Sequence, residues 1–211
     1  CRRRSVLLGA AAAASFRQAP AFALGATTPT KSWTLANGVA MPTLALNTAG
    51  LSADGSERAT TAALAAGFRH VDFHPGIERD GVARALASAG LGRSEDRLGR
   101  LFLTTKIAKP PPGSTPAQAA EAVRRQIDSD LAVLGTDAVD MLMLRDSPSC
   151  EVMQAQWAAL EEARAAGRTR ALGTVNFCEG ALRCILQTAK TPPALNYVME
   201  HVGMGEDAYG L

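Results

Sequence analysis

Short apolar runs recur along this chain at intervals of about 30 residues, the spacing of strand–helix–strand units. They fall at 43–46, 68–73, 101–105, 139–144, 169–174 and 194–198. Between them the apolar period lengthens. Ala119, Val123, Ile127, Leu131 and Leu134 recur at steps of three and four, and so do Met153, Trp157 and Leu160, followed by Gly167 as a C-cap signal. A strand–helix alternation builds a parallel sheet covered by helices. Ahead of the repeat, Asn37-Gly38 joins runs at 33–35 and 39–41, a strong hairpin signal. Six strands and five helices fit an open doubly wound sheet. They also fit a (β/α) barrel, which needs eight of each in about 250 residues, with its last quarter absent.

Composition removes several alternatives. The chain has 211 residues, 47% hydrophobic and 20% charged, ordinary for one globular domain and unlike a disordered chain. No apolar run reaches the roughly 18 residues of a spanning helix. A net charge of +2 gives no field for nucleic acid, so neither nucleic acid nor membrane is an expected partner of the mature chain. Residues 1–23 read as a targeting segment: Arg2, Arg3 and Arg4, a short apolar stretch at 5–15, and Ala21-Phe22-Ala23 as a cleavage pattern. Arg3-Arg4 followed by apolar residues fits the twin-arginine form, which points to the bacterial periplasm or the thylakoid lumen. For the lumen, a plastid transit peptide is expected upstream of Cys1. Residues 24–32 follow as a linker, and 33–211 as the partial barrel.

The four cysteines, Cys1, Cys150, Cys178 and Cys184, form no CxxC pair and have no histidine at metal spacing. No metal site and no disulfide framework are expected, with Cys178 and Cys184 as packed small residues on one helix. No Gly-rich dinucleotide fingerprint is present.

Six blocks carry a family resemblance. They are LANGVAMP at 35–42, AGFRHVD at 66–72, LFLTTK at 101–106, LGTDAVDML at 134–142, WAALEEARAAGRTRALGTVNF at 157–177, and PALN at 193–196. In this order they resemble the aldo-keto reductases. The resemblance implies a (β/α)8 barrel, here with the last two units missing. It also implies NADPH as cofactor and reduction of a small-molecule carbonyl substrate at the carboxyl ends of the strands.

The family's chemistry uses a tyrosine as proton donor, a lysine held by an aspartate, and a histidine that orients the carbonyl. By this resemblance Asp72 and Lys106 match the aspartate and lysine; otherwise they read as a capping aspartate and a solvated lysine. The tyrosine is missing, with Gly76 or Ile77 at its position. The histidine slot holds Arg145. His74 is either a substitute proton donor or a loop histidine without a task. Arg145 either forms an anion pocket with Lys106 or pairs with Asp72 or Asp146 and fills the site. Asn176 matches the asparagine that holds the nicotinamide carboxamide, with Val175 in place of its serine neighbour. Tyr197 stands where a glutamine meets the nicotinamide. Thr48 is kept on the first strand, while Asn47 and Ala49 replace a glycine and an aromatic residue.

Three expectations follow: a weak reductase, an inactive barrel that binds a nucleotide or anion or regulates, and an incomplete gene product.

Overall fold

The computed structural model describes residues 31–97, 99–147 and 149–199. The expected targeting segment at 1–23, with Cys1, lies outside them. The expected hairpin is β1 (Ser32–Thr34) and β2 (Ala40–Pro42), antiparallel with Trp33 opposite Met41. Gly38 takes a positive φ of 83° in its turn, the conformation for which Asn-Gly is suited.

Six strands then form one parallel sheet in chain order: β3 (Leu46–Asn47), β4 (His70–Phe73), β5 (Phe102–Lys106), β6 (Val139–Arg145), β7 (Thr169–Val175) and β8 (Asn196–Tyr197). Each neighbouring pair is parallel, from Asn47 opposite Asp72 to Val175 opposite Tyr197. A doubly wound sheet would reverse its order at a switch point. An unbroken sequential order is that of a barrel wall, and the sheet curls into a half-barrel of six strands.

The helices between the strands are α1 (Ala53–Ala65), α2 (Ile77–Ser88), the short α3 (Ser94–Arg97), α4 (Pro116–Leu134), α5 (Cys150–Ala165) and α6 (Glu179–Leu186). Local chemistry fixes the ends of α4. Thr115 and Gln118 form a capping box, Pro116 opens the first turn, and Gly135 closes the helix in the left-handed region. Its five periodic apolar residues are all buried, as are those of α5.

Strand alternation sorts two cores. Val71, Phe73, Leu103, Leu142, Leu144 and Leu172 face outward and pack under the helices. Phe102, Met141, Met143 and Ala171 face inward with Leu35 and Met41 of the hairpin, which therefore closes the amino-terminal end of the half-barrel. Gly173 has no side chain because one would press on Met143 and the Leu195 carbonyl.

One expectation is overturned. Cys150, opening α5, and Cys184, on α6, form a disulfide across 34 residues of sequence, with Cα atoms 5.8 Å apart. Two cysteines on neighbouring crossover helices come together only through the packing of those helices, which neither spacing nor count reveals. Cys184 is buried as expected, whereas Cys178 is free and exposed at the N-cap of α6.

Candidate functional site

The inward faces alternate every second residue, so the strand ends deliver a fixed set of side chains to the carboxyl-terminal mouth. Asn47 ends β3, Asp72 lies near the end of β4, and Lys106, Arg145, Val175 and Tyr197 end β5 to β8. Asp72 and Lys106 are each only 3% exposed and form an ion pair in which the Lys106 ammonium donates to Asp72 Oδ1. Asn47 Nδ2 donates to the other carboxylate oxygen at 3.0 Å. Burial draws the Lys106 ammonium below the usual lysine range, the Arg145 charge adds to that, and Asp72 and Glu78 oppose it. Neither a solvated lysine nor a capping aspartate describes this pair.

Beside the pair lies a junction built on Glu78, in the first turn of α2. Its carboxylate accepts from the Gly50 backbone N–H at 2.8 Å, from the His74 N–H at 3.2 Å, and from Thr48 Oγ1 at 3.3 Å. His74 Nδ1 lies 3.0 Å from Glu78 Oε2. A carboxylate can only accept, so Nδ1 carries the proton. Burial pushes the Glu78 carboxyl up, but the hydrogen bonds from Gly50 and His74 together outweigh it and hold it below the usual range. His74 is therefore oriented, with Nε2 turned away from Glu78. Neither Glu78 nor Asn47 stands out as a site residue in the sequence. The available signal was a glutamate four positions after His74 in a first helical turn.

The other mouth residues are equally specific. Gly76 precedes α2 at φ 89°, and Ile77 is 64% exposed, so no hydroxyl stands at that turn. Tyr197 turns its hydroxyl down into the half-barrel, 3.8 Å from Met41 Sδ. Burial, and then the Asp72 charge, push its phenol far above the ordinary tyrosine range, with only a weak opposing contribution from Thr104. It keeps its proton. Arg145 pairs with neither expected partner: Asp72 is held by Lys106 and Asn47, and Asp146 bonds Lys109 at 2.9 Å.

Asn176, just past β7, is the one non-glycine at positive φ among the described residues, at 57°. Such a backbone is sparsely populated and is held here by the Asn176 N–H bond to the Tyr197 carbonyl at 2.6 Å. Its Oδ1 accepts from the Met199 N–H at 3.2 Å, which leaves Nδ2 without a partner among the described residues. An amide with a spare donor, close to an inward-packed aromatic ring, fits a nicotinamide carboxamide. Thr48 fits less directly, because its buried hydroxyl is already spent on Glu78. Among the described residues no group of three His, Cys, Asp or Glu gathers to hold a metal ion, and no helix is long and apolar enough to cross a membrane.

Comparison with known proteins gives a consistent result. The model of the aldo/keto reductase family matches residues 35–202. An aldo-keto reductase of Mycobacterium leprae (strain TN) is 33% identical over 169 residues, covering 79% of this chain and 56% of that protein. One of Mycobacterium ulcerans (strain Agy99) is 34% identical over the same shares. The chain thus spans little more than half the length of these curated relatives. Among solved structures, an aldo/keto reductase from Brucella melitensis superposes with a TM-score of 0.71 at 27% identity, over 82% of this chain and 62% of that one. A Bombyx mori aldo-keto reductase solved in complex with NADP gives 0.65 at 23% identity, over 82% and 59%.

Proposed function

Because the chain belongs to the aldo/keto reductase family, we propose that it reduces a small carbonyl compound with a nicotinamide cofactor, NADPH by preference. The observation that carries this reading is the buried Asp72–Lys106 ion pair at the carboxyl-terminal mouth. A buried ion pair is a poor device for stability, since desolvation consumes much of its Coulomb attraction, whereas barrel enzymes place their chemistry at this end.

When bound, the reduced nicotinamide supplies a hydride to the carbonyl carbon. Asn176 holds its carboxamide through Nδ2, and Tyr197 bounds it from within the half-barrel. Lys106, fixed by Asp72, presents positive charge to the carbonyl oxygen on which negative charge develops. His74, oriented by Glu78 through its Nδ1–H, takes up a second proton from solvent at Nε2 and passes that one to the oxygen, keeping the Nδ1–H on Glu78. This arrangement replaces a tyrosine with a histidine–carboxylate couple. A positioned acid is worth about 10² to 10⁴ in rate, roughly 3 to 5 kcal/mol of barrier.

The test follows NADPH oxidation with small aldehydes in the full-length protein and in His74→Ala. A rate lowered at least a hundredfold by the substitution supports His74 as the acid, and an unchanged rate sinks that role. The exposed Ile77 at the turn after Asp72 favours a second reading, a barrel that binds the nucleotide without turning it over. Bound NADPH with no oxidation above buffer selects it.

Export by the twin-arginine route, to the periplasm or the thylakoid lumen, is proposed on residues 1–23. Sequencing the amino terminus of the mature protein tests it, with a start near Leu24 expected.

A further inference from the structure

Arg145 is a half-buried guanidinium with no ion-pair partner among the described residues. It shares the inward face of β6 with Met141 and Met143, and its charge acts on Lys106. Among the described residues, the carboxylates at this mouth that could neutralise it are committed elsewhere. Asp72 is shared between Lys106 and Asn47. Glu78 is filled by Gly50, Thr48 and His74, and Asp146 by Lys109. Lining a strand end with a cation costs desolvation that an anion across the mouth would offset. The guanidinium fork also matches a carboxylate bidentately, which an ammonium cannot do.

Resting on the reductase reading above, we infer that Arg145 seats the carboxylate of an oxo acid, so that the preferred substrates are carbonyl compounds carrying their own anionic group. Two cations then divide the work. Lys106, locked to Asp72, faces the reacting oxygen, while Arg145, unpaired, takes the second group and fixes the angle at which the carbonyl enters. The same slot in the resembled family carries a histidine that orients the carbonyl; an arginine there exchanges a neutral contact for a charged one. The seat asks for one small carboxylate next to the carbonyl, not for an extended apolar substrate.

Calorimetric titration with pyruvate and with its neutral isostere pyruvamide, on the full-length protein, tests this without turnover. The wild type should prefer pyruvate, with an affinity that falls as salt is added. Arg145→Gln should collapse the pyruvate-over-pyruvamide preference at least tenfold, and Arg145→Lys should restore part of it, keeping the charge but not the fork. Equal preference in wild type and Arg145→Gln overturns the inference, and so does equal preference in Arg145→Gln and Arg145→Lys. NADPH oxidation separates the two claims. An Arg145-dependent pyruvate preference without oxidation of either probe keeps the anion seat and removes the reductase reading. Oxidation with acetaldehyde alongside a preference indifferent to Arg145 does the reverse.

Discussion

His70 and Asp72 lie two residues apart on the same inward face of β4, yet they belong to different kinds of structure. His70 is 1% exposed, with Nε2 2.8 Å from Thr104 Oγ1 and Nδ1 3.3 Å from the Pro42 carbonyl. A carbonyl only accepts, so Nδ1 carries the hydrogen and Nε2 accepts from the threonine. The ring also meets Phe102 edge-on at 4.9 Å between centroids. Everything there is neutral, and it ties the hairpin to β4 and β5. Asp72 instead meets an ammonium, with Glu78, His74 and Arg145 close by. The interior of the half-barrel is thus neutral at its amino-terminal end, where the hairpin closes it, and charged at its carboxyl-terminal end. Strand geometry supplies only positions; the amino-terminal end uses them for cohesion and the carboxyl-terminal end for charge.

Cutting the ion pair puts this contrast to its most severe test. Lys106→Ala leaves a buried carboxylate uncompensated and should cost about 3 to 5 kcal/mol of stability together with activity. Replacing both partners, as in Asp72→Asn with Lys106→Met, should leave the chemical denaturation midpoint near the wild-type value and still abolish turnover. A double variant as unstable as the single one would mean that the charges serve the fold.

The disulfide braces the crossover helices outside the charged mouth, so its loss should weaken the fold without touching the site chemistry. Cys150→Ala with Cys184→Ala should lower stability by roughly 3 to 4 kcal/mol in a chain-entropy treatment, read by thermal unfolding. NADPH oxidation per folded molecule should stay within a few-fold.

At the amino-terminal end, His70→Ala strands the Thr104 hydroxyl and the Pro42 carbonyl, at about 1 to 3 kcal/mol. Burial holds the His70 imidazole below its ordinary value of 6.5, against smaller opposing contributions led by the Pro42 hydrogen bond. The unfolded chain then binds the proton more readily. The stability contribution of the neutral ring is therefore complete above about pH 6.5 and is lost as the pH falls below it. His70→Gln should flatten that part of the stability profile. The smallest effect expected is that of Thr48→Val, which removes one hydroxyl donor from Glu78 and should cost about 1 kcal/mol.

Much of the fold was legible because it rests on local period. The six apolar runs became the six parallel strands, and Asn37-Gly38 became the hairpin turn. The site was legible only where one residue at one strand end suffices, as with Asp72 and Lys106. The Glu78 junction was not, because its donors come from two separate strand–helix loops that only the β3–β4 pairing brings together. The Cys150–Cys184 bond failed for the same reason, one layer further out. Arg145 was visible as a residue out of place, but its lack of a partner required knowing where Asp72 and Asp146 spend their charge.

Hydride transfer at the charged mouth, as proposed above, can be read directly by isotope transfer. NADPH deuterated at the nicotinamide C4 is incubated with the protein and a small aldehyde, and the alcohol carbon is analysed for deuterium. We predict deuterium in the product with the wild type and none above background with Asp72→Asn/Lys106→Met, the two proteins unfolding at similar denaturant concentrations. Equal transfer by both, or none by the wild type, would contradict the account.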